Sequence, residues 1–103
     1  MSHFSLAREG SKVSVTMGAE LTVPFVPELR ELLGAIHDDG VQELVLDFSE
    51  TTVLDAAGLG LLLAARNSFS RSGRTLKLAR VRPPIFSLFE TLRLEQRLNA
   101  QVE

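Results

Sequence analysis

The sequence predicts an α/β fold in which helices pack on a mixed β-sheet, built as a single domain over residues 1–103. Three observations predict it. The segment Val41 to Phe48 is nearly continuous in apolar residues, as in a central strand covered on both faces. Leu29, Leu32, Leu33 and Ile36 recur at i, i+3, i+4 and i+7, the spacing of one helical face. Lys12 to Met17 alternates through Val13, Val15 and Met17, the spacing of a half-buried strand. A chain of 103 residues buries roughly two thirds of its unfolded surface, which is enough for one core and too little for two.

In chain order, Phe4 to Arg8 and Lys12 to Met17 form a hairpin with Glu9 and Gly10 as turn residues. The helix through Leu29 to Ile36 tolerates Pro24 and Pro27 only near its start, where their missing amide donors cost nothing, and it ends by Gly40. After the apolar strand, a loop from Ser49 to Leu54 leads into a second helix. Asp55 is its N-cap, Gly58, Leu62, Ala65 and Phe69 are its inward stripe, and Gly73 follows its end. Thr75 to Val81 is a further strand. Pro84 opens a third helix carrying Ile85, Leu88, Phe89 and Leu92, and a short last helix around Glu95 to Leu98 closes the domain.

Hydrophobic residues make up 45% of the chain and charged residues 23%, so it carries enough apolar surface to fold rather than remain disordered. Cysteine is absent, which removes disulfides, thiolate nucleophiles and sulfur-ligated zinc and points to a reducing compartment. The longest uncharged apolar run, Ala56 to Ala65, is about half of the ~20 residues that a membrane span requires, so no membrane insertion is expected. Met1 to Leu6 has neither the basic start nor the apolar stretch of a secretory signal, and the expected location is the cytoplasm. With a net charge of -2 and its arginines scattered, as at Arg66, Arg71, Arg74, Arg80 and Arg82, the chain lacks the coherent basic surface of a nucleic-acid binder.

No catalytic constellation converges. His3 falls in a terminal strand, and His37 stands at a helix end beside Asp38, where a cationic side chain caps the C-terminus. Gly58 and Gly60 lack the lysine and the glycine spacing of phosphate-binding loops. Neither a metal nor a cofactor is expected, and the chain reads as a binding domain rather than an enzyme.

From Leu44 to Leu63 a buried strand ends in a polar loop, and Asp55, Ala56, Ala57, Gly58, Leu59 and Gly60 then open the second helix. This segment resembles the signature of STAS domains, in particular the bacterial anti-sigma factor antagonists. The resemblance covers most of the chain, with Glu20 and Leu21, Pro27 to Arg30, and Arg74 to Val81 matching flanking segments. It implies a single STAS-like domain and a partner that is both anti-sigma factor and serine kinase, with an ATP-binding domain. In such antagonists the motif is D-S-S-G-L-G and its second serine is phosphorylated. Here that position is Ala57 and the preceding one is Ala56. A phosphate in the first helical turn gains from the free amides and the positive dipole end, but alanine offers no acceptor. Two further departures are Thr22, where the family often has aspartate, and Arg93, where it has glycine before the last helix. Thr22 can still cap a helix through its oxygen.

The implied docking surface comprises Asp55, Ala56, Ala57, Gly58, Leu59, Leu63 and Arg66, with Thr51 and Thr52 from the loop and Glu20 and Thr22 from the segment after the second strand. Leu59, Leu63 and Arg66 fall at i, i+4 and i+7 on the side away from Leu62 and Phe69, which leaves two leucines partly exposed beside the loop. Thr51 and Thr52 precede Asp55, where a phosphate meets a carboxylate and no free amides, so neither is expected to replace the missing acceptor. The resemblance implies competitive binding that releases a sigma factor. The alternative is a non-phosphorylatable STAS scaffold or accessory subunit of a stress-signalling complex or lipid transporter. A homodimer is left open.

Overall fold

The computed structural model describes residues 4–103, so His3 lies outside the described residues. Strands β1 (Ser5–Glu9) and β2 (Lys12–Thr16) form the expected hairpin, but the turn is Gly10 and Ser11 rather than Glu9 and Gly10. Gly10 takes φ +62, a conformation that costs glycine little. After β3 (Glu20–Leu21), a 3₁₀ turn over Val23–Phe25 runs directly into α1 (Val26–Asp38), so that Pro24 and Pro27 each sit at the start of a helical segment. Then come β4 (Glu43–Asp47), β5 (Val53–Leu54), α2 (Ala56–Arg71), β6 (Thr75–Val81), α3 (Pro83–Thr91) and β7 (Ala100–Val102). Among the described residues, no helix is long and apolar enough to cross a membrane.

The main sheet has the order β1-β2-β4-β6-β7, with β1 antiparallel to β2 and every other neighbouring pair parallel. This is the mixed sheet expected, with β4 at its centre. Register aligns Val13 with Leu44 and Leu76, and Val15 with Leu46 and Leu78, so that two apolar rows cross three strands. Leu29, Leu33 and Ile36 of α1, Leu62, Ala65 and Phe69 of α2, and Ile85 and Phe89 of α3 join these rows in one core cluster. Burying a side chain of this size contributes about 1.5–3 kcal/mol, and the cluster holds the sheet and all three helices together.

Several expectations change. Strand β4 is buried on both faces from Leu44 to Asp47, as expected, but the faces differ: Val45 lies outside the main core cluster, between its register neighbours Ser14 and Lys77. The loop ending at Leu54 contains β5, which pairs parallel with β3 in a second, two-stranded sheet. Pro83 rather than Pro84 is the first residue of α3. Leu88 and Leu92 are exposed, because a helix this short buries only the Ile85 and Phe89 stripe and Leu92 lies beyond its last residue. The last helix is absent. Glu95 to Asn99 form turns that lead into β7, with Leu98 buried beneath them.

Candidate functional site

Asp55 is the node of the site. Its Oδ1 accepts the Gly58 amide at 2.8 Å, the expected N-cap of α2, and its Oδ2 accepts the Val23 amide at 3.0 Å. One carboxylate therefore caps two helical segments that are distant in sequence, and each such bond is worth about 1 kcal/mol. The expected cap at Thr22 does not form, because its hydroxyl donates instead to the Glu20 carboxylate at 2.8 Å. The β3–β5 pairing completes the junction, aligning Glu20 with Val53 and Leu21 with Leu54, and the Asp55 amide donates to the Leu21 carbonyl at 3.3 Å.

The two glycines of the helix start have different roles. A Cβ on Gly58 would stand 2.4 Å from the Leu21 carbonyl oxygen, so α2 approaches β3 as closely as it does only because this residue lacks a side chain. Gly60 faces open space.

On the outer side of α2, Ala56, Gly60 and Ala64 recur every four residues and are exposed, together with Ala57 in the first turn. Val53 (49% exposed) and Val23 (62%) flank the same end of the helix through the β5 strand and the Asp55 bond. The result is a surface of small and β-branched apolar side chains with no nucleophile. A partner backbone can approach it closely, and covering it removes apolar area from water.

The expected site residues divide accordingly. Ala56 and Ala57 lie on the exposed face, whereas Gly58 is buried and Asp55 is engaged internally. Leu59 and Leu63 are partly exposed, as expected, and also pack against the core. Arg66 is half-buried. Thr51 leaves the surface altogether: it is fully buried, and its hydroxyl donates to the Gly18 carbonyl at 2.8 Å. Thr52 and Glu20 are exposed beside the junction. The exposed Val23 and Val53 carry no outward signal in the sequence, since each adjoins apolar residues, Pro24 and Phe25 or Leu54, and reads as core. His37 makes an edge contact with the Phe69 ring at 5.2 Å and its Nε2 lies 2.9 Å from the Ser72 hydroxyl, so its ring ties α1 to α2.

Electrostatics support the loop behind this face. Asp47, at the end of β4, accepts the Ser49 amide at 2.8 Å and the Arg80 Nε at 2.9 Å, with a second Arg80 contact through Nη2. Burial pushes the Asp47 carboxyl up, but the Arg80 guanidinium and the Ser49 bonds outweigh it and hold the group below its ordinary value. Arg80 reaches Asp47 from a left-handed conformation, φ +51, where the β6–β7 register shifts. Arg82 donates to the Ser49 carbonyl at 3.0 Å. Two arginines thus fasten the start of the polar loop that carries β5.

Comparison with known proteins agrees with this architecture. A family model described as "Mlab, STAS domain" matches residues 4–100. The anti-sigma-B factor antagonist of Staphylococcus aureus is 32% identical over 76 residues, covering 74% of this chain and 70% of that protein, and its Staphylococcus epidermidis counterpart is 29% identical over the same length. Among solved structures, the anti-sigma factor antagonist SpoIIAA in its unphosphorylated form superposes with a TM-score of 0.80 at 20% identity, covering 97% of this chain and 89% of that one. An anti-sigma factor antagonist from Mycobacterium paratuberculosis gives a TM-score of 0.83 at 19% identity, covering 94% and 82%. At these identities the structural likenesses establish the fold.

Proposed function

The chain belongs to the STAS domain family, and from that premise we propose that it is an anti-sigma factor antagonist-like module that docks on an ATP-binding anti-sigma factor kinase and releases a sigma factor. The observation that carries this reading is the exposed face at the start of α2, where Ala56, Ala57 and Gly60 are exposed close to Val23 and Val53 on a frame fixed by Asp55. The mechanism is competitive: apolar area on this face is covered by the kinase in place of the sigma factor. Ala57 stands at the position that phosphorylated relatives use as acceptor, so the complex lacks the covalent step that ends it elsewhere. Thr52 does not substitute. Its hydroxyl lies before Asp55, where a phosphate meets that carboxylate rather than free helix amides. The cytoplasm is the matching location.

A second reading is favoured by Ala56 and Ala57, which leave the helix start without a phosphate acceptor, together with the match to the Mlab-type STAS domain: a STAS subunit held permanently in a larger assembly, such as a stress-signalling complex or a lipid transporter. Affinity capture from native lysate, with mass-spectrometric identification, separates the two. An anti-sigma kinase supports the first, and a transporter ATPase or large sensor complex replaces it with the second.

A further inference from the structure

We propose that the chain binds a second copy of itself through the outer edge of β1, the two strands pairing antiparallel about a twofold axis at Ala7. This surface is independent of the α2 face. All five residues of β1 are exposed, and the strand contains neither proline nor bulge, two of the protections of a sheet edge; its charges, Arg8 and Glu9, lie at its end next to the turn.

Hydrogen-bond alternation identifies which backbone groups are free. The Met17 amide donates to the Asp47 carbonyl at 2.9 Å, and the Ser11 carbonyl accepts the Gln42 and Glu43 amides at 2.9 and 3.2 Å. Odd-numbered residues of β2 therefore bond toward β4, and Lys12, Ser14 and Thr16 bond toward β1. Their register partners Glu9, Ala7 and Ser5 spend their main-chain groups inward. Leu6 and Arg8 consequently direct their N–H and C=O groups out of the sheet, and among the described residues no main-chain bond meets them there.

A second copy is the occupant that the segment itself specifies. With Ala7 on the axis, Leu6 of each chain faces Arg8 of the other, and all the free main-chain groups pair. Ala7 then faces Ala7 at a non-hydrogen-bonded position, where side chains come closest and a methyl group fits. Side-chain placement agrees with this register. Leu6 and Arg8 lie opposite the buried Val15 and Val13, so both side chains are on the helix side of the sheet. Arg8 keeps its guanidinium on Asp39 and the Gly10 carbonyl of its own chain, and its stem in the second copy thus arrives beside Leu6, at a groove of about 290 Å³ formed with Leu32 and Ala35. Leu6, 48% exposed, loses its contact with water in the same step.

The chain has no cysteine, so single cysteines report the register directly. An Ala7→Cys pair across the axis has a Cα separation of about 4.5 Å, within disulfide reach, whereas two Glu9→Cys residues lie four residues apart along the strands, about 13 Å. Under mild oxidation, Ala7→Cys is expected to form a linked dimer at least tenfold faster than Glu9→Cys. In sedimentation equilibrium the unaltered chain is expected to dimerise with concentration, and Leu6→Lys, which sets lysine against Arg8, to raise the dissociation constant tenfold or more. Equal cross-linking rates for the two cysteine variants, or a chain that stays monomeric up to millimolar concentration, would overturn the proposal.

Discussion

The backbone at Gly58 lies so close to the Leu21 carbonyl that a methyl group there would sit 2.4 Å from the oxygen. Helix propensity favours alanine over glycine by about 1 kcal/mol, yet this contact is with main chain and cannot swing aside. Gly58→Ala is expected to destabilise by about 1–3 kcal/mol, the range for overpacking, while Gly60→Ala, facing open space, is expected to stabilise by about 0.5–1 kcal/mol. Urea denaturation of both variants checks the pair. Equal effects would show that α2 and β3 are not in close contact.

Asp55 holds one helix start with each carboxylate oxygen. Asp55→Ala removes both bonds and is expected to cost about 2 kcal/mol, whereas Asp55→Asn keeps an acceptor for α2 and turns an amide donor toward the Val23 N–H, with an intermediate loss. Equilibrium unfolding of the three chains should rank them Asp, Asn, Ala. Equal stability of Asp55→Asn and the unaltered chain would remove the Val23 bond from the account.

Arg93 follows the C-cap of α3 with φ +58, the left-handed conformation usual for glycine after a helix. Its β-carbon makes this costly, so Arg93→Gly is expected to raise stability by about 1 kcal/mol. A lowered thermal midpoint would contradict the strain.

Because the folded state holds the Asp47 carboxyl below its ordinary value, the unfolded chain takes up the proton first as pH falls. The stabilisation from Asp47 is complete above about pH 4, the ordinary range of the group, and is lost as pH falls through the lower folded value. Asp47→Asn should flatten that part of the pH–stability curve. An unchanged slope below about pH 4 would show that Arg80 and Ser49 do not favour the charged form.

Strands β1, β2, β4 and β6 of the main sheet and the three helices were legible because each carries a run with its own period: Val13 and Val15 for a strand, Leu29 to Ile36 for a helix, Asp55 and Gly73 as helix limits. The pairs Glu20–Leu21 and Val53–Leu54 were not legible as strands, because two residues hold no period and only the tertiary contact makes them pair. The same holds for Ala100–Val102. At the site, the helix-capping role of Asp55 was readable from its position, but its second bond to Val23 depends on β3 and β5 being brought together. The partial exposure of Leu59 and Leu63 was readable from helical spacing, but their packing against the core was not. Thr51 looked like a surface hydroxyl, and only the turn back toward Gly18 buries it.

The central claim is that the face around Ala57 docks on a kinase that cannot release it by phosphorylation, and the most direct measurement is the affinity of that kinase for the unaltered chain and for Ala57→Ser, each with and without ATP. Serine at the exposed start of α2 costs little stability. Once phosphorylated, it carries a charge of roughly -1.5 to -2 into the contact, and a penalty of ~3 kcal/mol weakens binding more than a hundredfold. The account predicts that ATP leaves the affinity of the unaltered chain unchanged and abolishes tight binding only for Ala57→Ser. Indifference to ATP in both chains would contradict it.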